Sequence, residues 1–282
     1  MGSEMCIRDR YSTGRFGVDE DYLRSADAIE IKIGQGAKPG QGGFLPKEKL
    51  TAEIAEVRKV DTGQDLHSPA CHSDINNVDD LKKKIDWLRE VAEGKPIILK
   101  LGAGDIEKDV ELAVQAGPDV IAIDGMEGGS GVAPEVMFDE VGIPTIAAVA
   151  KARRTLDKLG AKQELLIGGG LNTAGDIAKT LALGADACFM SFAIMIALGC
   201  SYCQRCNEGK CPFGIATQDP ELEKNLNVEE GAQKVANFIQ TLTEELKMIT
   251  GAVGKDDVRL LDGNDLRSLN PFISKVAGVE LV

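Results

Sequence analysis

Four of the chain's seven cysteines, Cys200, Cys203, Cys206 and Cys211, fall within twelve residues in "LGCSYCQRCNEGKCPFGIATQDPE". Thiolates are soft ligands, and four of them in one compact loop suit a metal centre better than four separate core positions. Cys200–Cys203 and Cys203–Cys206 are C-x2-C pairs, Cys200–Cys206 is C-x5-C and Cys206–Cys211 is C-x4-C. Proline follows Cys211, as it follows a ligand cysteine in ferredoxin-type runs. An iron–sulfur cluster is therefore the first reading, with a four-thiolate zinc site as the alternative. Cys71 and Cys188 stand alone and read as core residues.

A second group of residues suits an anion. In "IGGGLNTAGDIAKTLALGADACFM", Gly168, Gly169 and Gly170 follow a strand pattern and precede a helix pattern. Backbone N–H groups can approach a phosphate there, and the helix N-terminus adds partial positive charge. The next strand leads into another helix at Ser191. Two consecutive loops of this kind are the usual phosphate site of a (β/α) barrel, although each is also compatible with a plain tight turn. "IDGMEGGSGVAP" adds Gly128, Gly129 and Gly131 after an earlier strand, close enough in kind to touch a ring or a phosphate. Lys100 interrupts the apolar strand "IILKLG" and either serves an electron-rich cofactor ring or reaches solvent. "KIGQGAKPGQGGFLP" holds five glycines, two prolines and two lysines, and reads as a structured loop over an active site with Gln35 and Lys38 as its polar candidates. His67 and His72 bracket "SPAC" and form no recognised catalytic or zinc spacing.

Short β-branched runs alternating with amphipathic stretches must position these residues. Strands are expected at 28–34, 96–102, 119–125, 164–170 and 185–191. Helices are expected at 45–60, 78–94, 105–117, 144–160, 173–184 and 193–199, then a long one at 228–251 and a turn-and-helix tail over 256–271. The expected fold is α/β, a (β/α)8 TIM-type barrel represented by about its last five βα units, with a C-terminal helical extension. The abrupt start at "YSTGRFGV" reads as N-terminal truncation. Residues 1–10, "MGSEMCIRDR", read as an artefactual or disordered tail, residues 11–225 as the partial barrel with its cysteine loop, and 226–282 as the extension. A net charge of −13 over 282 residues disfavours nucleic acid. No apolar run approaches the roughly 20 residues a membrane span needs. The absence of an apolar leader points to the cytoplasm, where clustered cysteines more often bind metal than pair.

The segments "YSTGRFGV", "IEIKIGQGAKPGQGG", "GGGLNTAGDIAKTLALGAD" and "ALGCSYCQRCNEGKCPFGIATQDPEL" together resemble the FMN-binding domain of the glutamate synthase large subunit family, closest to its stand-alone, archaeal-type members. The resemblance runs from about Tyr11 to near the C-terminus. It implies FMN as cofactor and a 3Fe–4S cluster on Cys200, Cys206 and Cys211. It also implies that Gln35 and Lys38 lie at the flavin and substrate site, and that Arg58 binds a substrate carboxylate. The implied reaction is reductive amination of 2-oxoglutarate with ammonia to glutamate. Electrons would come from a ferredoxin or a flavoprotein donor, and ammonia from a possible separate glutaminase subunit. Two residues depart from the family pattern: Cys203 is a fourth thiol, and Phe44 stands where fused members carry glutamine. The resemblance places a further catalytic glutamate and part of the flavin pocket upstream of Tyr11. The Gly-rich loops alone would also allow an IMP dehydrogenase-like or 2-hydroxy-acid oxidase-like barrel, and the cysteines alone a metal-binding module or inactive fragment.

Overall fold

A computed structural model describes residues 10–129 and 133–282. The main sheet has six parallel strands: β1 (Arg10–Tyr11), β2 (Ile29–Lys32), β5 (Ile97–Gly102), β6 (Val120–Asp124), β7 (Glu164–Gly168) and β8 (Ala187–Cys188). The strands β3 (Phe44–Leu45) and β4 (Leu66–His67) form a separate antiparallel hairpin inserted after β2. The order β1-β2-β5-β6-β7-β8 never reverses. Each new strand joins the same edge, which is barrel order and not the reversing order of a doubly wound sheet. Among the described residues β1 and β8 are the two edges and the sheet does not close. The expected five strands are present, and β1 adds a sixth. Of the segment 1–10, residues 1–9, with Cys6, lie outside the described residues, while Arg10 pairs with Glu30 across the sheet.

The helices are α1 (Glu20–Arg24), α2 (Ala52–Arg58), α3 (Val78–Val91), α4 (Ile106–Ala116), α5 (Glu135–Glu140), α6 (Thr145–Leu159), α7 (Ala174–Ala182) and α8 (Phe192–Leu198). Beyond them lie α9 (Pro220–Glu223), α10 (Val228–Ala252) and α11 (Pro271–Ala277), the last flanked by a two-stranded parallel pair, β9 (Arg267–Ser268) and β10 (Glu280–Leu281). Helices α3, α4 and α6 cover one face of the sheet. Ile29, Ile31, Leu99, Ile121, Ile123, Leu165 and Ile167 meet Ile85, Leu88, Val110, Ala148 and Leu156 there, in one continuous buried cluster. Alternation along each strand sends the other residues to the opposite face. The register aligns Lys32, Lys100, Ala122, Leu166 and Ala187 in one row across that face. Two lysines therefore stand side by side on the face away from the helices.

The single helix expected over 45–60 is corrected. Leu45 belongs to the β3–β4 hairpin, residues Lys47–Lys49 form one 3-10 turn, and α2 starts only at Ala52. Hairpin pairing holds Leu45 extended, and Thr51 starts a new helix by accepting a hydrogen bond from the Ile54 N–H at 3.3 Å. Helix α10 packs on α7 and α8 through a narrow face: Leu242 is buried, and Gly231 meets Leu198 so closely that a Cβ there would lie 2.7 Å from its Cδ1. Ile239 on the same helix is exposed. No helix of the described residues is long and apolar enough to cross a membrane.

Candidate active site

The carboxyl ends of the parallel strands bring together residues far apart in sequence. Strand β2 ends at Lys32 and releases the loop that carries Gln35 and Lys38. That loop crosses β5 and β6 closely. A Cβ on Gly36 would fall 1.8 Å from the Gly125 carbonyl oxygen, and one on Gly102 would fall 3.0 Å from that of Gln35. Only residues without side chains permit this approach. The Gly36 N–H donates to Asp124 Oδ2 at 3.0 Å, and the same oxygen lies 3.7 Å from Lys100 Nζ. Asp124 thus ties the β2 loop to β5, and sequence reasoning missed it. Its signal was available as the only acidic residue inside the apolar strand "VIAID".

Four cations converge here. Lys100 is 7% exposed, and its ammonium also lies 4.6 Å from the centre of the Phe189 ring. Lys38 is 4% exposed, and its Nζ donates to the Gly42 carbonyl at 3.0 Å. Lys32 is half-buried and donates to Gln35 Oε1. Arg10 pairs with Glu30 at 2.7 Å. Burial lowers the Lys38 pKa below the ordinary lysine range. Burial, then the charges of Arg10, Lys100 and Lys38, bring Lys32 down to about 8, with Glu30 opposing the shift. Among the described residues neither Lys32 nor Lys38 has a carboxylate within ion-pair distance. An ammonium buried without a counter-ion is costly. The carboxyl edge is therefore locally cationic in a chain of net charge −13.

Behind Lys32, His72 fixes the strand. The ring is 5% exposed; its Nε2 lies 2.8 Å from the Lys32 carbonyl and its Nδ1 lies 3.0 Å from Arg15 Nη2. A carbonyl only accepts and a guanidinium only donates, so the imidazole is the neutral Nε2–H tautomer. Burial holds its pKa below the usual histidine value, assisted by Arg15 and Lys84 and opposed by the Lys32 carbonyl and Asp74. Sequence reasoning set this histidine aside because its partners lie on other elements.

The two expected phosphate loops differ. Gly168 ends β7, and Gly169 and Gly170 follow it with φ of +113° and +68°. A Cβ on Gly168 would fall 2.0 Å from the Phe189 ring, and one on Gly170 would fall 2.7 Å from the Glu127 Cβ. The first turn of α7 is closed by its own capping box, in which Asp176 Oδ2 accepts from the N–H groups of Asn172 and Thr173. Ser191 at the start of α8 makes no side-chain cap, and no acidic residue lies in that first turn. Among the described residues the start of α8 thus has no side-chain cap, whereas at α7 Asp176 and Thr173 take up part of the N–H groups. In the loop after β6, Gly128 abuts Asp124, Gly129 faces open space, and Gly131 lies outside the described residues. Glu127 Oε2 accepts from both the Thr145 N–H and its hydroxyl, at 2.9 and 2.8 Å, and so caps α6.

The cysteine loop follows α8. Cys211 is buried, Cys200 and Cys206 are half-buried and Cys203 is exposed. Tyr202 and Gln204, either side of Cys203, hold φ of 58° and 56°. Two such left-handed residues turn the chain back on itself. Burial raises the Cys206 thiol pKa first, then the nearby Cys200 and Cys211, with Cys203 adding to them and Lys49 opposing. Burial also acts to raise Cys211, but N–H groups of Ala216, Phe213 and Ile215 outweigh it and bring that thiol below its ordinary value. Cys188, by contrast, is pushed up to about 11 by burial alone. Crowding of thiols whose charged forms repel one another, with backbone N–H donors at Cys211, suits a cationic centre. Among the described residues no three His, Cys, Asp or Glu side chains are gathered closely enough to form a ligand set.

Residues 3–256 match the family model described as the conserved region in glutamate synthase. The chain belongs to the glutamate synthase family. It is 45% identical to the archaeal glutamate synthase (NADPH) of Methanocaldococcus jannaschii over 92% of its own length and 51% of that protein. It is 38% identical to a glutamate synthase large subunit-like protein of Rhizobium meliloti over 99% of its length and 68% of the relative. The chain spans about half the length of the archaeal-type relatives it matches. A solved mandelate oxidase variant shares the fold at a TM-score of 0.50 and 18% identity, covering 86% of this chain and 58% of the other. The parallel sheet in barrel order and this likeness bear out the α/β, TIM-type expectation.

Gln35 and Lys38, on the loop after β2, and Lys100, on β5, stand at the carboxyl edge of the sheet. Arg58 lies half-buried in the last turn of α2, in the excursion that contains the hairpin. Gly17 packs on that turn, since a Cβ there would fall 3.2 Å from the Arg58 Cα. Phe44 stacks on His67 with ring centres 4.7 Å apart and is 40% exposed.

Proposed function

We propose that the chain carries the synthase centre of a glutamate synthase, which reductively aminates 2-oxoglutarate to glutamate. The observation that carries the reading is the pair of buried or half-buried ammoniums, Lys38 and Lys32, beside Gln35 and Lys100 and without a counter-ion among the described residues. Such a site favours an anionic ligand. FMN bound at the strand ends would supply hydride to the imine formed from ammonia and the keto acid.

The chain's own residues have separable roles. Lys100, held between Asp124 and the Phe189 ring, presents a fixed positive charge to an electron-rich ring. Gly128, Gly129, Gly168, Gly169, Gly170 and Ser191 provide close backbone approach for the flavin and its phosphate. The α8 start is favoured for the phosphate, because it carries no side-chain cap, whereas Asp176 and Thr173 take up part of the N–H groups at α7. Lys38 has a lowered pKa and so gives up a proton more readily than a surface lysine, which suits polarising or protonating the imine site. Gln35 orients the substrate by hydrogen bonding, and Arg58 offers a planar fork to one carboxylate. Cys200, Cys206 and Cys211 would hold the 3Fe–4S cluster that relays electrons from a ferredoxin or flavoprotein donor. A glutaminase subunit would supply ammonia.

The test is reconstitution of the full chain with FMN, iron and sulfide under anaerobic conditions. Glutamate formation from 2-oxoglutarate and ammonium, driven by a chemical reductant, is then followed. One FMN per chain with glutamate formed, and turnover lost in Lys38→Ala, is the expected outcome. FMN uptake with wild-type turnover in Lys38→Ala refutes the role of Lys38. Bound, reduced FMN that yields no glutamate from 2-oxoglutarate and ammonium refutes the synthase reading.

A further inference from the structure

Reduction of a flavin by two electrons and one proton leaves a negative charge on its ring, so fixed charges beside the ring set how strongly the bound cofactor reduces. Lys100 alone would favour the anionic form and make a bound flavin a weaker hydride donor. We propose that Asp124 is a positioning residue that fixes the Lys100 ammonium and offsets its charge, so that bound FMN stays strongly reducing. This role rests on the FMN site of the synthase reading and extends it to a carboxylate at the end of β6. Asp124 is 8% exposed, and among the described residues it is the one carboxylate within ion-pair distance of Lys100. Their 3.7 Å separation is too long for a hydrogen bond, so Asp124 acts on the ammonium by charge. The carboxylate is held from several sides. The Gly36 N–H donates to Oδ2 at 3.0 Å, and the Asp124 carbonyl accepts from the Ala103 N–H at 2.9 Å. The loop after β6 folds back so closely that a Cβ on Gly128 would fall 2.4 Å from Oδ1. The Gly125 N–H donates to the Gly168 carbonyl at 2.9 Å and ties this strand end to β7. Glu127, the other acid of that loop, is taken up by Thr145. A neutral amide oxygen would satisfy the Gly36 N–H as well. The full charge of Asp124 therefore matters at Lys100, in a cluster where Lys32 and Lys38 bring further positive charge.

The reduction potential of FMN bound to the full chain is measured anaerobically at pH 7 against a reference dye, and the affinity for oxidised FMN separately by flavin fluorescence. In Asp124→Asn, reduced FMN is expected to bind about tenfold more tightly relative to oxidised FMN than in the wild type, an upward shift of about 30 mV for a two-electron couple. Asp124→Glu, which keeps the charge, is expected to restore most of the wild-type potential. Lys100→Met is expected to shift the potential downward, and adding Asp124→Asn to it to reverse that shift, because both opposing charges are then gone. This second comparison carries the test where Asp124→Asn alone does not fold. A potential unchanged or lowered in Asp124→Asn overturns the proposal, as does equal weakening of oxidised and reduced FMN, which a merely structural role would give. Equal potentials in Lys100→Met and the double variant overturn it as well, and so does a wild-type chain that takes up no FMN. Bound FMN that shows the expected shifts but forms no glutamate refutes the synthase reading and leaves the role of Asp124 standing.

Discussion

Replacing Asp124 by asparagine isolates the charge that joins three strand ends. Asparagine keeps the shape and can still accept the Gly36 N–H through its Oδ1. It removes the negative charge 3.7 Å from the Lys100 ammonium. Two unit charges at that separation interact by about 4.5 kcal/mol at an effective dielectric constant of about 20. Both groups are under 10% exposed, so solvent takes up little of the loss. Taking one member from a buried pair typically costs about 3–5 kcal/mol, which agrees with the Coulomb figure. The same cluster holds Lys32 and Lys38, which gain no compensating charge from asparagine. Asp124→Asn is therefore expected to lower unfolding free energy by about 3–5 kcal/mol at pH 7, read by urea denaturation with circular dichroism. Lys100→Met in the same background should recover most of it, because the stranded ammonium is then gone. A cost below about 1 kcal/mol, or additivity of the two substitutions in the double-mutant cycle, would refute the assignment of Asp124 as the counter-ion of Lys100.

Gly36→Ala should displace the β2 loop, since its Cβ would meet the Gly125 carbonyl at 1.8 Å. Overpacking of this kind costs about 1–3 kcal/mol, whereas Gly251→Ala, on α10 with open space around it, should bind FMN as the wild type does. Equal FMN affinity in the two variants would contradict that difference. His72 has a native pKa below its unfolded value of about 6.5, so the unfolded chain takes up the proton first as pH falls. Its contribution is present above pH 6.5 and declines as pH drops toward the native pKa. Melting temperature should show this acid-side step, and His72→Gln should remove it. After anaerobic reconstitution, Cys200→Ser, Cys206→Ser and Cys211→Ser should each lose most bound iron, while Cys203→Ser keeps it. Zinc uptake without iron in the wild type would sink the iron–sulfur assignment.

Strands β2, β5, β6 and β7 were legible as short β-branched apolar runs bounded by glycine or polar residues, as buried parallel strands are. Helix α3 was legible too, since its Leu81, Ile85, Leu88 and Val91 mark one face and are all buried. The glycine loops and the cysteine run were legible as local spacing, and so was Lys100 as a charge inside an apolar strand. The helix expected over 45–60 was not legible, because pairing of Phe44 with His67 and Leu45 with Leu66 overrides a helical pattern. Nor was β1, whose two residues form a strand only through their partners on β2.

What the tertiary structure decided is which charges meet. Lys32, Asp124 and His72 gave no sign along the chain of the partners they meet, since no local pattern relates residues 40 or 88 positions apart. Parallel pairing aligns Lys32 with Lys100, and glycine at position 36 allows the loop to reach Asp124. Sequence spacing determines which residues share one element. Electrostatics depends on distances between elements, and those exist only after the sheet has assembled.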